Sequence, residues 1–317
     1  MGMAPLALRP DNRAMRIAFL GFGLISGSVA RALRASADPA WSRARLVAWS
    51  PSGRGPARAS VDGVIDHAAG TAREALAGAE LVVLGAPPHL VPAQIEELAG
   101  PLRDALHPAA VVTDVASTKS LIVAVAERAG LRFVGGHPMA GREQAGYPAA
   151  TADLFVDRPW IVVPAHGTEA SDLARVEALA WACRARPMRL GAAQHDVATA
   201  GISHLPLIAS AALVEAVAGT PHGEVPGWDL AVELAAGGWT SMTRLARGDA
   251  AMGAGIVATN GAALVTRLRA YRDALDDWLA ELEREGGPDA ARLEARFTAA
   301  KARLEAPVGD GPDGRGG

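Results

Sequence analysis

The sequence predicts an α/β chain, with an N-terminal doubly wound parallel sheet followed by an all-helical C-terminal domain. Three observations carry this. From Arg16 onward, short apolar runs alternate with amphipathic stretches of about 10–15 residues. A glycine turn, Gly21-Phe22-Gly23, closes the first run, and the strand-like signal stops after Gly191.

The first run is RIAFL (16–20), followed by the helical stretch LISGSVARALRA. ARLVAW (44–49) is the second, and LVVLGAP (81–87) precedes the helical HLVPAQIEELAG. AVVTDV (110–115) precedes TKSLIVAVAERAG, and RFVGG (132–136) follows it. Runs that are apolar throughout, instead of alternating with polar residues, belong to strands covered on both faces, as in βαβ units. PWIVVP (159–164), a helix over 169–184 and the short run PMRLG (187–191) complete this half. Beyond Ala192 the pattern is helical, interrupted at 219–228, 237–238 and 285–289. From Met252 to Leu282, residues Ile256, Leu264, Leu268, Tyr271, Leu275, Trp278 and Leu282 recur at three- and four-residue spacing. That spacing predicts one long helix with a buried stripe, which a second subunit would cover. The expected organisation is a nucleotide-binding domain over 14–191, a helical substrate and dimerisation domain over 192–306, and a tail over 307–317 too polar to pack.

Composition excludes several function classes. The chain has 317 residues, half of them apolar, which is ample for a core. Its formal net charge of −3 offers no field favouring nucleic acid or an anionic membrane surface. A single cysteine, Cys183, leaves neither a disulfide framework nor a cysteine zinc cluster, and no histidine has a carboxylate at metal-ligand spacing such as HExxH. The opening MGMAPLALRPDNRAMR lacks a long apolar stretch, and Leu6 stands where a myristoylation signal needs Ser or Thr. A soluble, cytoplasmic protein is expected.

Gly21 and Gly23 lie between a predicted strand and a predicted helix. Gly21 permits a tight turn, Gly23 allows close approach to a pyrophosphate, and the N–H groups around Leu24, Ile25 and Ser26 present the positive end of the helix dipole. Ser26 occupies the place of the third glycine in the dinucleotide-binding fingerprint. At the end of the second strand, where an NAD enzyme carries an acidic residue for the ribose, stand Ser50, Ser52 and Arg54, with no carboxylate before Asp62. Hydroxyls and an arginine suit a 2′-phosphate, so NADP is expected ahead of NAD. Ala86 and Pro87, ending the third run, complete the cofactor-binding candidates.

Two further segments fall where the strand ends open onto the nucleotide: Thr113-Asp114-Val115-Ala116-Ser117-Thr118-Lys119 and Gly135-Gly136-His137-Pro138-Met139-Ala140-Gly141. His137, on a constrained backbone, is suited to take a proton from an alcohol as hydride leaves. Ser117 is suited to bond the substrate hydroxyl or His137, and Lys119 either to hold a phosphate or to start a helix. In HDVATAGISHLP (195–206), His195, Thr199 and Ile202 are expected on one helical face, and Pro206 is expected to bend or punctuate the helix. For His195 the expectation is a core histidine bonded to backbone. His89, His107, His166 and His222 match no motif and are expected at the surface.

GFGLISGS, TDVASTKS, GGHPMAG and HDVATAGISHLP, in this order, resemble the prephenate and arogenate dehydrogenases of tyrosine biosynthesis. The resemblance implies a Rossmann-type domain, a helical domain through which two copies form a homodimer, and hydride transfer to NAD(P)+ with loss of the ring carboxylate as CO2. It implies that His137 accepts the hydroxyl proton while Ser117 orients it, and that Ser203, His204 and Arg244 bind substrate. Arg244 follows a Gly-rich turn with Arg247 as its neighbouring competitor, and arginine suits a substrate carboxylate. Many prephenate-using members read Ser-His-Leu-Pro-His, whereas this chain has Leu207 last. That departure resembles the arogenate-specific, NADP-linked branch. Oxidation of prephenate to 4-hydroxyphenylpyruvate with NAD+, or dual cyclohexadienyl specificity, is the alternative. A 3-hydroxy acid dehydrogenase would need a lysine after Ala192 on the first interdomain helix, which the sequence lacks there. A redox-sensing module would have no use for His137, Ser117 and Arg244 together.

Overall fold

The structure, a computed structural model, describes residues 14–142, 144–220, 223 and 225–306. The expected tail at 307–317 and His222 lie outside the described residues. The chain divides into two compact units, one running to Val265 and one from Thr266.

In the first unit, the strands are β1 (Arg16–Leu20), β2 (Arg45–Trp49), β3 (His67–Ala68), β4 (Leu81–Leu84), β5 (Val111–Asp114), β6 (Phe133–Pro138), β7 (Pro159–Pro164) and β8 (Arg186–Arg189). The helices among and beside them are α1 (Leu24–Arg34), α2 (Pro39–Ser42), α3 (Arg54–Val61), α4 (Ala72–Leu76), α5 (Val91–Ala99), α6 (Ser120–Arg128) and α7 (Ala170–Ala182). The strands form one sheet in the order β3-β2-β1-β4-β5-β6-β7-β8. All neighbours are parallel except β6 and β7, which run antiparallel. The strand order reverses between β1 and β4, and ligands bind at the carboxyl ends of strands at such a switch point. Both faces are covered: Ile17 and Phe19 of β1 enter one core cluster, Ala18 and Leu20 the other. This accounts for the continuous apolar run in the sequence. The two-residue β3 is too short to register as a pattern.

The helices continue as α8 (Ala192–Thr199), a π-helical turn (Ala200–His204), α9 (Leu205–Ala218), α10 (Trp228–Glu233), α11 (Gly237–Met242), a 3-10 turn (Leu245–Arg247) and α12 (Ala250–Thr259). Asp196 of α8 is hydrogen-bonded to the sheet half, and the first compact unit, which runs to Val265, includes both. The helix Ala192–Ala218 is continuous through Pro206. The widened π turn just ahead absorbs the missing proline N–H. It also shifts the helical phase: His195 and Thr199 are buried, but Ile202 is 73% exposed and does not share their face. By length and mean hydropathy (1.7) this helix is able to cross a membrane, with 22% of its window buried.

The expected single helix from Met252 to Leu282 is two helices, α12 and α13 (Gly261–Leu282), with Asn260 between them at φ −124°. The side chain of Asn260 is engaged elsewhere, as described below, and Gly261 restarts the helix. Ile256 and Leu264 of the predicted stripe are buried, whereas Leu275 and Leu282 are 49% and 55% exposed in the single chain. In the second unit, α13 is followed by α14 (Ala290–Glu305). There Trp278 packs on Phe297 (5.0 Å between ring centroids) and Arg296 covers the Trp278 ring at 4.0 Å.

Candidate active site

At the switch point, Gly21 has φ +93°, and a Cβ there would lie 2.7 Å from the Gly85 carbonyl carbon. Only glycine allows β1 and β4 to close this tightly. Gly23 caps α1, and a Cβ at Gly23 would meet nothing within 4 Å, so the space before the helix is open. Leu24 and Ile25 anchor that helix to the core, leaving its first N–H groups without helical acceptors. Ser26 is tolerated in the third-glycine place because residue 85 is glycine: a Cβ on Gly85 would collide with Ser26 Oγ at 2.0 Å. The close-packing duty of that glycine falls to Gly27, whose Cβ would stand 2.7 Å from the Tyr147 ring. Ala86 and Pro87 adjoin this turn.

Ser50, at the end of β2, is 9% exposed, and its hydroxyl has no hydrogen-bond partner. Gly53, at φ +64°, turns the chain into α3, whose first residue is Arg54. Ser52 and Arg54 are exposed beside it. Asp62 is consumed structurally: the Tyr147 hydroxyl donates to its carboxylate at 3.0 Å, and Arg58 and Arg31 pair with it at 2.9 and 3.1 Å. The Tyr147 hydrogen bond, more than either arginine, holds that carboxyl below its usual range. An open cradle at Gly23 and an orphaned buried hydroxyl at the β2 end fit a dinucleotide.

The second cluster centres on His137 in β6. Gly136 is required by close approach, since a Cβ there would stand 2.4 Å from the Asp114 carbonyl oxygen, while one on Gly135 would crowd Lys119 Cδ at 3.1 Å. Asp114 accepts from Gly136 N–H and Ala116 N–H, both at 3.0 Å, and from the Lys119 ammonium. Lys119 is fully buried in this pair, where burial pushes its ammonium down and Asp114 opposes the fall. It is therefore not free to hold a phosphate. Instead it stands at the start of α6, which the Asp196 carboxylate caps: the Lys119 and Ser120 amides donate to Asp196 Oδ1 and Oδ2, each at 2.8 Å.

Asp196 thus ties α8 to the sheet half, and it also accepts from its neighbour, His195 Nδ1, at 2.8 Å. His195 Nε2 in turn lies 2.7 Å from His137 Nδ1. His195 is not bonded to backbone through its ring, and it, not Ser117, is the hydrogen-bond partner that orients His137. The Ser117 hydroxyl is buried without a partner. Burial pushes His137 well below the ordinary histidine value, with His195, Lys119 and His204 adding to the fall. Burial alone would raise the Asp196 carboxyl, but the bonds from His195, Ser120 and Lys119 outweigh it and hold the carboxyl below its usual value. The group is therefore ionised at neutral pH.

His204, in the π turn, is fully buried, and its Nε2 makes no side-chain hydrogen bond. Burial pushes it down to about 4 against the pull of Asp196 and of the Ser117 backbone carbonyl, which favours a proton on the ring although no hydrogen bond of ordinary geometry forms at Nε2. Ser203 beside it is half-buried. Leu207 lies against α12, where a Cβ on Gly253 would be 3.7 Å from its Cδ2. Arg244 is exposed at the junction of α11 and the 3-10 turn, outside the buried histidine cluster, as is Arg247. His89 packs on α12: a Cβ at Gly255 would stand 2.4 Å from its Nδ1. His107 and His166 lie outside the cluster, where His107 Nδ1 accepts from Ala109 N–H at 3.1 Å and the His166 amide donates to Glu127 Oε1 at 2.6 Å. The contacts of Asp196 and Asn260 and the pairing of Asp114 with Lys119 were not legible in the sequence. The adjacency of Asp196 to His195 was the available signal.

Residues 29–188 match the family described as prephenate dehydrogenase, nucleotide-binding domain, and residues 191–294 match its dimerization domain. The prephenate dehydrogenase of Bacillus subtilis (strain 168) is 30% identical over 271 residues, covering 84% of this chain and 68% of that protein. The crystal structure of Synechocystis arogenate dehydrogenase superposes with a TM-score of 0.71 at 31% identity, covering 92% of this chain and all of that one. The Aquifex aeolicus prephenate dehydrogenase, solved with hydroxyphenyl propionate and NAD+, shares the fold at a TM-score of 0.80 and 24% identity, over 92% of this chain and 98% of that one. With residues 29–188 and 191–294 matched to the two domains of one family and a 30% identical relative covered over 68% of its length, the chain belongs to the prephenate/arogenate dehydrogenase family of oxidoreductases.

Proposed function

We propose that the protein converts arogenate to tyrosine by oxidative decarboxylation, with NADP+ as the hydride acceptor. The observation that carries the chemistry is the hydrogen-bonded series Asp196, His195, His137. An ionised Asp196 only accepts, and so selects the Nδ1–H tautomer of His195. His195 Nε2 is then an acceptor, so His137 donates from Nδ1 and keeps a lone pair on Nε2. His137 is thereby a neutral base at physiological pH.

The bound nicotinamide supplies the hydride acceptor; the α1 N-terminus after Gly21 and Gly23, with Ala86 and Pro87, would hold its dinucleotide. Ser50, Ser52 and Arg54 would hold a 2′-phosphate. His137 Nε2 takes the proton of the ring hydroxyl as hydride leaves the carbon that bears it. The ring carboxylate departs as CO2, its bonding pair completes the aromatic ring, and the phenolate oxygen so formed recovers its proton from His137 Nε2. The imidazolium formed at His137 is stabilised through His195 by Asp196. Ser117, Ser203, His204 and Arg244 are assigned to substrate, Arg244 to a carboxylate.

Arogenate is favoured over prephenate by Leu207, which puts an apolar group where many prephenate-using members have a histidine. The reading includes a cytoplasmic homodimer with domains 14–191 and 192–306. The apolar exposure of Ile202, Leu230, Leu234 and Met242 suits a subunit contact. The buried polar residues His195, Asp196 and His204 on the Ala192–Ala218 helix argue against a membrane span. Initial rates on arogenate and prephenate, each with NAD+ and NADP+, test the proposal. A higher kcat/KM on prephenate would overturn the substrate assignment, and a higher value with NAD+ would overturn that of the cofactor.

A further inference from the structure

The break between α12 and α13 places one side chain under the histidine cluster. Asn260 is 6% exposed, and its Nδ2 lies 2.9 Å from the Asp196 carbonyl oxygen and 3.0 Å from His204 Nδ1. A backbone carbonyl only accepts, so the contact with Asp196 fixes which end of the amide is nitrogen. The second hydrogen of that same nitrogen then points at His204 Nδ1. An imidazole nitrogen receiving a hydrogen bond carries no proton, so neutral His204 carries its proton on Nε2. That Nε2 is buried and makes no side-chain hydrogen bond; the Ser117 backbone carbonyl is near enough to favour a proton on the ring, and the Ser117 hydroxyl beside it has no partner.

We propose that Asn260 is a positioning residue that fixes His204 as a hydrogen-bond donor through Nε2, giving the site a fixed donor to accompany the fixed acceptor on His137. The two histidines are set to opposite tautomers by opposite partners: an acceptor, the Asp196 carboxylate acting through His195, and a donor, the Asn260 amide. Asp196 joins both arms, with its carboxylate toward His195 and its carbonyl toward Asn260. A ligand matching this polarity carries an oxygen acceptor, carboxylate or carbonyl, for His204 together with a hydroxyl for His137. This assignment rests on the reading of His137 as the base, but its first test does not.

Long-range nitrogen–proton correlation spectra of the full-length protein labelled with 15N-histidine, with His204 assigned by His204→Gln, read the tautomer directly. The expected pattern is a protonated Nε2 and a bare Nδ1. Asn260→Asp, which replaces the donor by an acceptor, is expected to move the proton to Nδ1 or to protonate both nitrogens. A parent spectrum with His204 protonated on Nδ1 overturns the proposal, as does an unchanged spectrum in folded Asn260→Asp. If that variant does not fold, the parent spectrum decides alone. In turnover, Asn260→Asp is expected to raise substrate KM about tenfold, with a smaller change in kcat. A protein that turns over neither substrate yet shows the Nε2 tautomer would refute the proposed reaction and leave the Asn260 assignment standing.

Discussion

His137 and His195 meet edge to face, with Nδ1 of one 2.7 Å from Nε2 of the other and their rings inclined at 71°. The two residues are 58 positions apart in sequence, one on a strand of the nucleotide fold and the other on the first helix beyond it. The His137 ring is therefore held by a residue of the first helix beyond the sheet. His195→Ala is expected to lower kcat by about 10²-fold while leaving the KM for cofactor nearly unchanged. His195→Gln, whose carbonyl accepts from His137 Nδ1, should recover part of the loss. Steady-state kinetics on both variants check this, and equal activity in parent and His195→Ala would remove His195 from the mechanism.

The pH dependence follows from the depressed histidines. His137 has a folded pKa well below the ordinary value, so kcat/KM should not fall near pH 6.5 as the pH is lowered. The acid limb is expected at distinctly lower pH.

His204 carries a related stability signature. Its folded value of about 4 lies below its unfolded value, so the contribution is fully present above about pH 6.5 and is lost as pH falls through 4. The loss is on the order of 3 kcal/mol. Urea midpoints at pH 7 and pH 4 are expected to converge in His204→Gln relative to the parent.

Asp114 and Lys119 form a fully buried ion pair whose acidic member also accepts two backbone N–H groups. Lys119→Met would leave a buried carboxylate without its cation, at a cost of about 3–5 kcal/mol. The double variant Asp114→Asn with Lys119→Met should recover much of that loss in urea unfolding. If the single variant is as stable as the parent, the pair has no structural role.

At the glycine turn, Gly85→Ala would place a Cβ 2.0 Å from Ser26 Oγ and 2.6 Å from the Gly21 carbonyl oxygen. Cofactor affinity, read by fluorescence titration, is expected to fall by at least about tenfold. Adding Ser26→Gly should restore only part of it, because the clash with Gly21 persists.

Ser50→Asp would install at the β2 end the carboxylate that the chain lacks. The ratio of kcat/KM for NADP+ to that for NAD+ should fall by about tenfold or more, through repulsion of the 2′-phosphate and a new bond to a ribose hydroxyl. An unchanged ratio would show that Ser50 does not face the adenosine ribose.

Much of the fold was legible because its causes are local. β1 reads as a strand because Ile17 and Phe19 enter one core layer while Ala18 and Leu20 enter the other. Gly21 reads as a turn because its φ of +93° excludes side chains. The two-residue β3, the π turn that sends Ile202 outward and the break at Asn260 were not legible. Each depends on what the backbone or side chain meets elsewhere in the fold.

The same division runs through the site. By itself, the sequence determined which residue types were available: a glycine turn, His137 behind two glycines, an HD pair and a second histidine nine positions on. Their spacing along the chain carried the identity of the family. Only the tertiary structure brought the His195 ring against His137, paired Lys119 with Asp114, and set the Asn260 amide against His204 Nδ1. Apart from the adjacent His195 and Asp196, these pairings join residues 5 to 77 positions apart. No local pattern encodes them, because each is set by the partner that the fold brings within about 3 Å.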